Sequence, residues 1–91
     1  PAVAEPALVP GLRMARIAFN GGVSEAPVFA QLIKKTGVEL SIMGAATRNV
    51  DGKAFGTMLV TLPEDEGKTR EILDFLNSCT GVRAEEVTEH V

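Results

Sequence analysis

The chain has 91 residues, 45% of them hydrophobic, and twelve acidic against nine basic side chains give a net charge of −3. That length supports one hydrophobic core and excludes a self-contained multi-domain enzyme. The acidic balance, with no Lys/Arg cluster able to track a phosphate backbone, excludes nucleic acid as an expected partner, and a single cysteine, Cys79, leaves neither a disulfide nor a CxxC ligand pair. Neither a structural metal nor a cofactor is expected. No run approaches the ~20 apolar residues of a membrane span, and Pro1-Ala2-Val3-Ala4-Glu5 lacks the charged and apolar regions of a secretory signal. The chain therefore reads as soluble. It opens on Pro1 and not on methionine, as an excised piece of a longer protein or a processed one would.

Residues 1–11 carry Pro1, Pro6, Pro10 and Gly11 among small side chains and are expected to form a linker, with a single domain over 12–91. Ala15, Ile17 and Phe19 then alternate with Arg16, Ala18 and Asn20, a strand pattern that ends at Gly21-Gly22. Ser24 is placed as a helix N-cap with Glu25 in the first turn, and Pro27 is early enough to be tolerated. Val28, Phe29, Leu32 and Ile33 make one apolar stripe, Lys34 and Lys35 suit the negative end of the helix dipole, and Gly37 stops the helix. Alternation resumes over 38–49, with Val38, Leu40, Ile42 and Ala46 on one face and Glu39, Ser41, Met43, Ala45 and Thr47 on the other. Asp51-Gly52 predicts a hairpin to a strand over 53–62 whose Met58, Val60 and Leu62 face the core. After Pro63, the acids Glu64, Asp65 and Glu66 open a second helix with a stripe of Ile72, Leu73, Phe75, Leu76 and Cys79, capped at Gly81. A weaker strand follows over 82–91.

The order is strand, helix, strand, strand, helix, strand. Thr36-Gly37-Val38 recurs as Thr80-Gly81-Val82, each time between a helix and a strand. This order predicts an α+β, ferredoxin-like β-α-β-β-α-β sandwich, one four-stranded antiparallel sheet with two helices on one face. If the helices cover Ile17, Ile42 and Val60, the opposite face presents Met14, Ser41, Met43, Ala45, Phe55 and Leu59. So apolar a face is expected to be covered, by a second copy of the chain or by another partner.

Gly67-Lys68-Thr69 matches the end of a phosphate-binding loop, but the required first glycine falls on Leu62 and three acids precede the triplet, so a solvated first turn is expected instead. Asn20-Gly21-Gly22, between a strand and a helix, is either a tight turn or a set of backbone N–H groups open to a carboxylate or phosphate. His90 has no second histidine or cysteine partner, and no two carboxylates are paired across a predicted cleft, so neither a metal site nor acid–base catalysis is expected. Cys79 lies on an apolar stripe and is expected to fill the core. With no tyrosine or tryptophan and four phenylalanines, stacking platforms for nucleic-acid bases are lacking.

Four stretches, Arg16-Ile17-Ala18-Phe19-Asn20-Gly21, the strand from Val38 to Gly44, Gly52-Lys53-Ala54-Phe55-Gly56-Thr57-Met58-Leu59-Val60, and the closing segment with Glu86-Val87, carry a resemblance to the NIL domain. NIL domains form the small C-terminal module of ATP-binding subunits in bacterial methionine importers. The resemblance covers nearly all of the chain from Leu12 onward. It implies an amino-acid-sensing module similar in architecture to ACT domains, paired between two ATPase subunits as a homodimer. Methionine bound at the interface would hold the importer inward-facing with its nucleotide sites apart, so that uptake is inhibited by its own product. It also implies a cytoplasmic location, peripheral to the inner membrane through the parent transporter. The expected ligand contacts are Gly22 and Val23 at a helix N-terminus, with Ser41 and Met43 along the apolar wall. The family's Asn-Ile-Leu triplet is Ser41-Ile42-Met43 here, and a hydroxyl with one donor replaces an amide with two donors and a carbonyl. Two other classes stay open: a purely structural dimerisation module, and a NIL-type domain attached to an iron–sulfur ferredoxin segment.

Overall fold

A computed structural model describes residues 12–87; the linker expected over 1–11, His90 and the end of the last strand lie outside the described residues. The elements are β1 (Met14–Asn20), α1 (Glu25–Thr36), β2 (Ile42–Val50), β3 (Lys53–Thr61), α2 (Glu66–Ser78) and β4 (Val82–Val87). They form one sheet in the order β2-β3-β1-β4, antiparallel at every pairing. Each helix carries the chain past one strand position, and the gap it leaves is filled by a strand of the other half. The expected ferredoxin-like α+β architecture is the observed one.

Period-two alternation in β1 turns Ala15, Ile17 and Phe19 toward the helices, where they meet Val28 and Leu32 of α1, Ile72 and Leu76 of α2, and Met58 and Val60 of β3 in one buried cluster. The stripe of α1 is displaced from the expected one. Ile33 is 43% exposed, and Thr36 is buried, its hydroxyl donating to Leu32 O at 2.7 Å and accepting from Val38 N–H at 3.2 Å. Gly37 closes α1 in the left-handed conformation expected of it. Helix α2 begins as its acids predict, with the Asp65 carboxylate accepting from Lys68 N–H at 3.0 Å. Its C-cap is Cys79, not Gly81. Gly81 serves the turn into β4, where its φ of 78° requires glycine.

In β2 the expected parity fails at one point. The register with β3 steps between Ile42, opposite Val60, and Gly44, opposite Leu59, leaving Met43 as an extra residue. Beyond this bulge every side chain is on the face opposite to the one expected. Ala46 lies on the outer face, and Ala45 lies opposite buried Met58. Val38 and Leu40 still pack on the core, although the strand starts only at Ile42, which is 55% exposed.

The outer sheet face is less apolar than expected. Met14, Phe55 and Leu59 lie on it, but they share it with Arg16, Arg48, Arg83, Glu85 and Thr57. Met14 and Leu59 are buried. Arg13 holds the far end of the molecule together: its guanidinium donates to both Glu86 carboxylate oxygens, at 2.9 and 3.2 Å, and to Glu64 O at 3.2 Å. The bonds to Glu86 raise the Arg13 pKa above its ordinary value, and the Glu86 and Glu66 charges act in the same direction.

Candidate functional site

The loop between β1 and α1 is built on two glycines for two different reasons. Gly21 has a φ of 89°, and the Phe55 ring occupies the place a Cβ would take. At Gly22 a Cβ would stand 2.5 Å from Thr80 O and 2.7 Å from Gly81 Cα, so only glycine lets the two backbones meet. Asn20 N–H donates to Gly81 O at 2.9 Å and Gly21 N–H to Ala54 O at 2.8 Å, while Val23 O accepts from Ala54 N–H at 3.2 Å. The loop is thus clamped between the starts of β3 and β4. Ser24 occupies the N-cap position, but its hydroxyl donates to Gly52 O in the β2–β3 turn instead of capping the helix. Among the described residues, the N–H groups of Gly22 and Val23 make no hydrogen bond. They stand at the positive end of the α1 dipole, where an anionic group would be favoured. Glu25 stands in the same first turn, with Oε2 buried and unpartnered among the described residues.

Ser41 and Met43 lie at the other end of the sheet. Ser41 N–H donates to Thr61 Oγ1 at 3.1 Å and Ser41 O accepts from Thr61 N–H at 2.9 Å, so its backbone is fixed while its side chain is exposed. Met43, the bulged residue, is 38% exposed, and Ile42 and Val50 flank it on the same strand at 55% and 45%. Strand β2 is an edge, and three of the five exposed large hydrophobic side chains among the described residues belong to it.

The four expected ligand residues therefore form two pairs, not one cluster. Gly22 and Val23 are anchored beside Ala54 and Ser41 beside Thr61, which places the pairs ~23 Å apart along β3 at ~3.3 Å per residue. One chain does not bring them together. The bulge that presents Met43 escaped the sequence reading, although Gly44 inside a strand pattern was a signal for it.

Gly67-Lys68-Thr69 is occupied by structural work. Lys68 Nζ donates to Thr36 O at 3.0 Å and approaches Glu71 at 3.3 Å, and Thr69 Oγ1 donates to Pro63 O at 3.0 Å. The triplet thus ties the start of α2 to the end of α1, which leaves the lysine no phosphate role. Cys79 is a free, partly buried thiol packed against the core. Among the described residues no group of three or more His, Cys, Asp or Glu side chains could hold a metal. None of their helices is long and apolar enough to cross a membrane.

Element order, sheet order and the one-sided helices define a small ferredoxin-like α+β domain with an open, apolar sheet edge. The NIL domain profile matches residues 13–86, and the chain belongs to the NIL domain family. It is 34% identical over 76 residues to the methionine import ATP-binding protein MetN of Cupriavidus metallidurans, covering 84% of this chain and 22% of that protein. Against MetN 2 of Bacillus licheniformis the identity is 31% over 77 residues, again 84% of this chain and 22% of the relative. The chain thus spans about a fifth of the length of the relatives it matches. Its fold superimposes on the C-terminal domain of an ABC transporter ATP-binding protein from Enterococcus faecalis with a TM-score of 0.74, at 20% identity and covering 89% of each chain.

Proposed function

We propose that the chain is the ligand-sensing regulatory domain of an amino-acid ABC importer, acting without chemistry of its own at the ATP-binding subunit that carries it. In this reading two copies pair about a twofold axis and a methionine-like amino acid binds where they meet. The parent ATPase and its transporter would place the domain on the cytoplasmic side of the membrane. Homology to MetN proteins supports the importer context.

One observation carries the interface reading: the two halves of the candidate site lie at opposite ends of one sheet. Antiparallel pairing of β2 with β2 of a second copy would lay the Ser41 end of one strand beside the Val50 end of the other. The Val50 end leads into the turn held by Ser24, next to Gly22 and Val23. Such a twofold would bring Gly22 and Val23 of one copy toward Ser41 and Met43 of the other, twice. Free N–H groups at the start of α1 would receive the ligand carboxylate, and the exposed Met43 would line the apolar side. A ligand that binds the paired arrangement and not the separated one, at a hundred times its dissociation constant, stabilises pairing by about 2.7 kcal/mol at each of the two sites. The attached ATPases would be held apart by that amount.

The test is calorimetric titration of the chain with a panel of amino acids, both methionine enantiomers included, beside Ser41→Asn and Met43→Trp. A saturable, stereoselective signal that Met43→Trp abolishes is expected. Recovery of a missing signal in Ser41→Asn would locate ligand choice at that residue. Silence from the wild type and Ser41→Asn together, with the protein still dimeric, would overturn sensing and leave a structural dimerisation module.

A further inference from the structure

We infer that Asn77 is a plug on the β4 edge of the sheet, so that a second copy can add only along β2 and assembly stops at a closed pair. The inference rests on the β2-paired reading above and extends it to the opposite edge.

A four-stranded sheet has two edges, and each offers a row of unpaired backbone groups to any incoming strand. Here the outermost strands are β2 and β4. On β4 the outward groups at the middle of the strand are already taken. Ala84 N–H donates to Asn77 Oδ1 at 2.9 Å, and Asn77 Nδ2 donates to Ala84 O at 2.9 Å. The side-chain amide thus reproduces the reciprocal pair of bonds that a neighbouring antiparallel residue would make. Nδ2 also donates to Leu73 O at 3.0 Å, which fixes the amide on its helix, and Val82 N–H is taken by Cys79 O at 3.2 Å. The short link from α2 to β4 makes this possible, because it lays the last turn of the helix against the edge.

On β2 no such side chain intervenes among the described residues, and Ile42, Met43 and Val50 stand exposed along it. The difference has a geometric consequence. One open edge pairs with its own copy about a twofold and is used up, whereas two open edges would alternate β2 and β4 contacts into a ribbon without end.

Sedimentation velocity on the full chain over a wide concentration range tests this with four proteins. The wild type should stop at two copies. Asn77→Ala should exceed two, with mass rising with concentration. Ile42→Lys, which puts a charge on the β2 edge, should be monomeric, and the double variant should return to two copies through β4 alone. Exchange of the Ala84 amide should be about tenfold faster or more in Asn77→Ala, and circular dichroism reports whether each variant is folded. If Asn77→Ala does not fold, Asn77→Asp replaces it, keeping the acceptor for Ala84 N–H and losing the donor. Should Asn77 variants match the assembly state of their parent in both backgrounds, the plug is refuted. A monomeric wild type that Asn77→Ala converts to dimers would instead refute pairing through β2 and leave the plug standing.

Discussion

Replacing Gly81 by alanine should be the most damaging single-methyl addition in the candidate site, and the structure says by how much. Its φ of 78° imposes a left-handed backbone on the new side chain, a cost of about 1–2 kcal/mol. The added Cβ would also run into Gly22 Cα and N, with Asn20 Oδ1 at 2.7 Å, and forced overpacking against backbone adds about 1–3 kcal/mol. Together these give a loss of about 2–5 kcal/mol. Gly22→Ala meets the same wall from the other side, at 2.5 Å from Thr80 O, but without a left-handed φ, and should lose about 1–3 kcal/mol. Gly37→Ala provides the contrast: its φ is 74° but nothing lies within 4 Å of the new Cβ, so about 1 kcal/mol of conformational cost is expected. Urea unfolding at one fixed protein concentration, so that association contributes equally, should rank the three losses as Gly81→Ala, Gly22→Ala, Gly37→Ala. A Gly22→Ala variant no less stable than Gly37→Ala would refute the account of the loop as two backbones in contact.

Two further outcomes test the reading of α2. Asp65→Ala removes the side-chain acceptor of Lys68 N–H and should cost about 1 kcal/mol, measured as a lowered urea midpoint with unchanged slope. Lys68→Met removes the ammonium from Thr36 O and Glu71 and should cost about 0.5–1.5 kcal/mol. A fluorescent ATP analogue should bind neither the wild type nor this variant, and saturable binding lost on Lys68→Met would restore the phosphate-loop reading.

How far the sequence could be read depended on the range of the physics involved. β1, both helices and the hairpin were legible because alternation, helical stripes and turn residues act within a few neighbours. Ala15, Ile17 and Phe19 went inward as their spacing required. The reading of β2 broke at Met43, because one bulged residue inverts a period-two pattern without leaving a mark in the pattern itself. Ser24 is the N-cap its position predicts, yet its hydroxyl goes to Gly52, in the distant β2–β3 turn. The missing glycine and adjacent acids of Gly67-Lys68-Thr69 argue against a phosphate site from sequence; that its lysine ties down Thr36 is visible only in three dimensions.

By itself, then, the sequence determined the element order and the α+β class, because hydrophobic periodicity and turn chemistry are written residue by residue, while short matching stretches carried the resemblance to the family. The tertiary structure decided which strands became edges, that the Asn77 amide bonds to Ala84 on β4 while no side chain does so on β2 among the described residues, and that Gly22 and Val23 stand at the opposite end of the sheet from Ser41 and Met43. Those outcomes depend on strand order and register. They arise from contacts between segments distant in the chain, and no local pattern encodes such contacts.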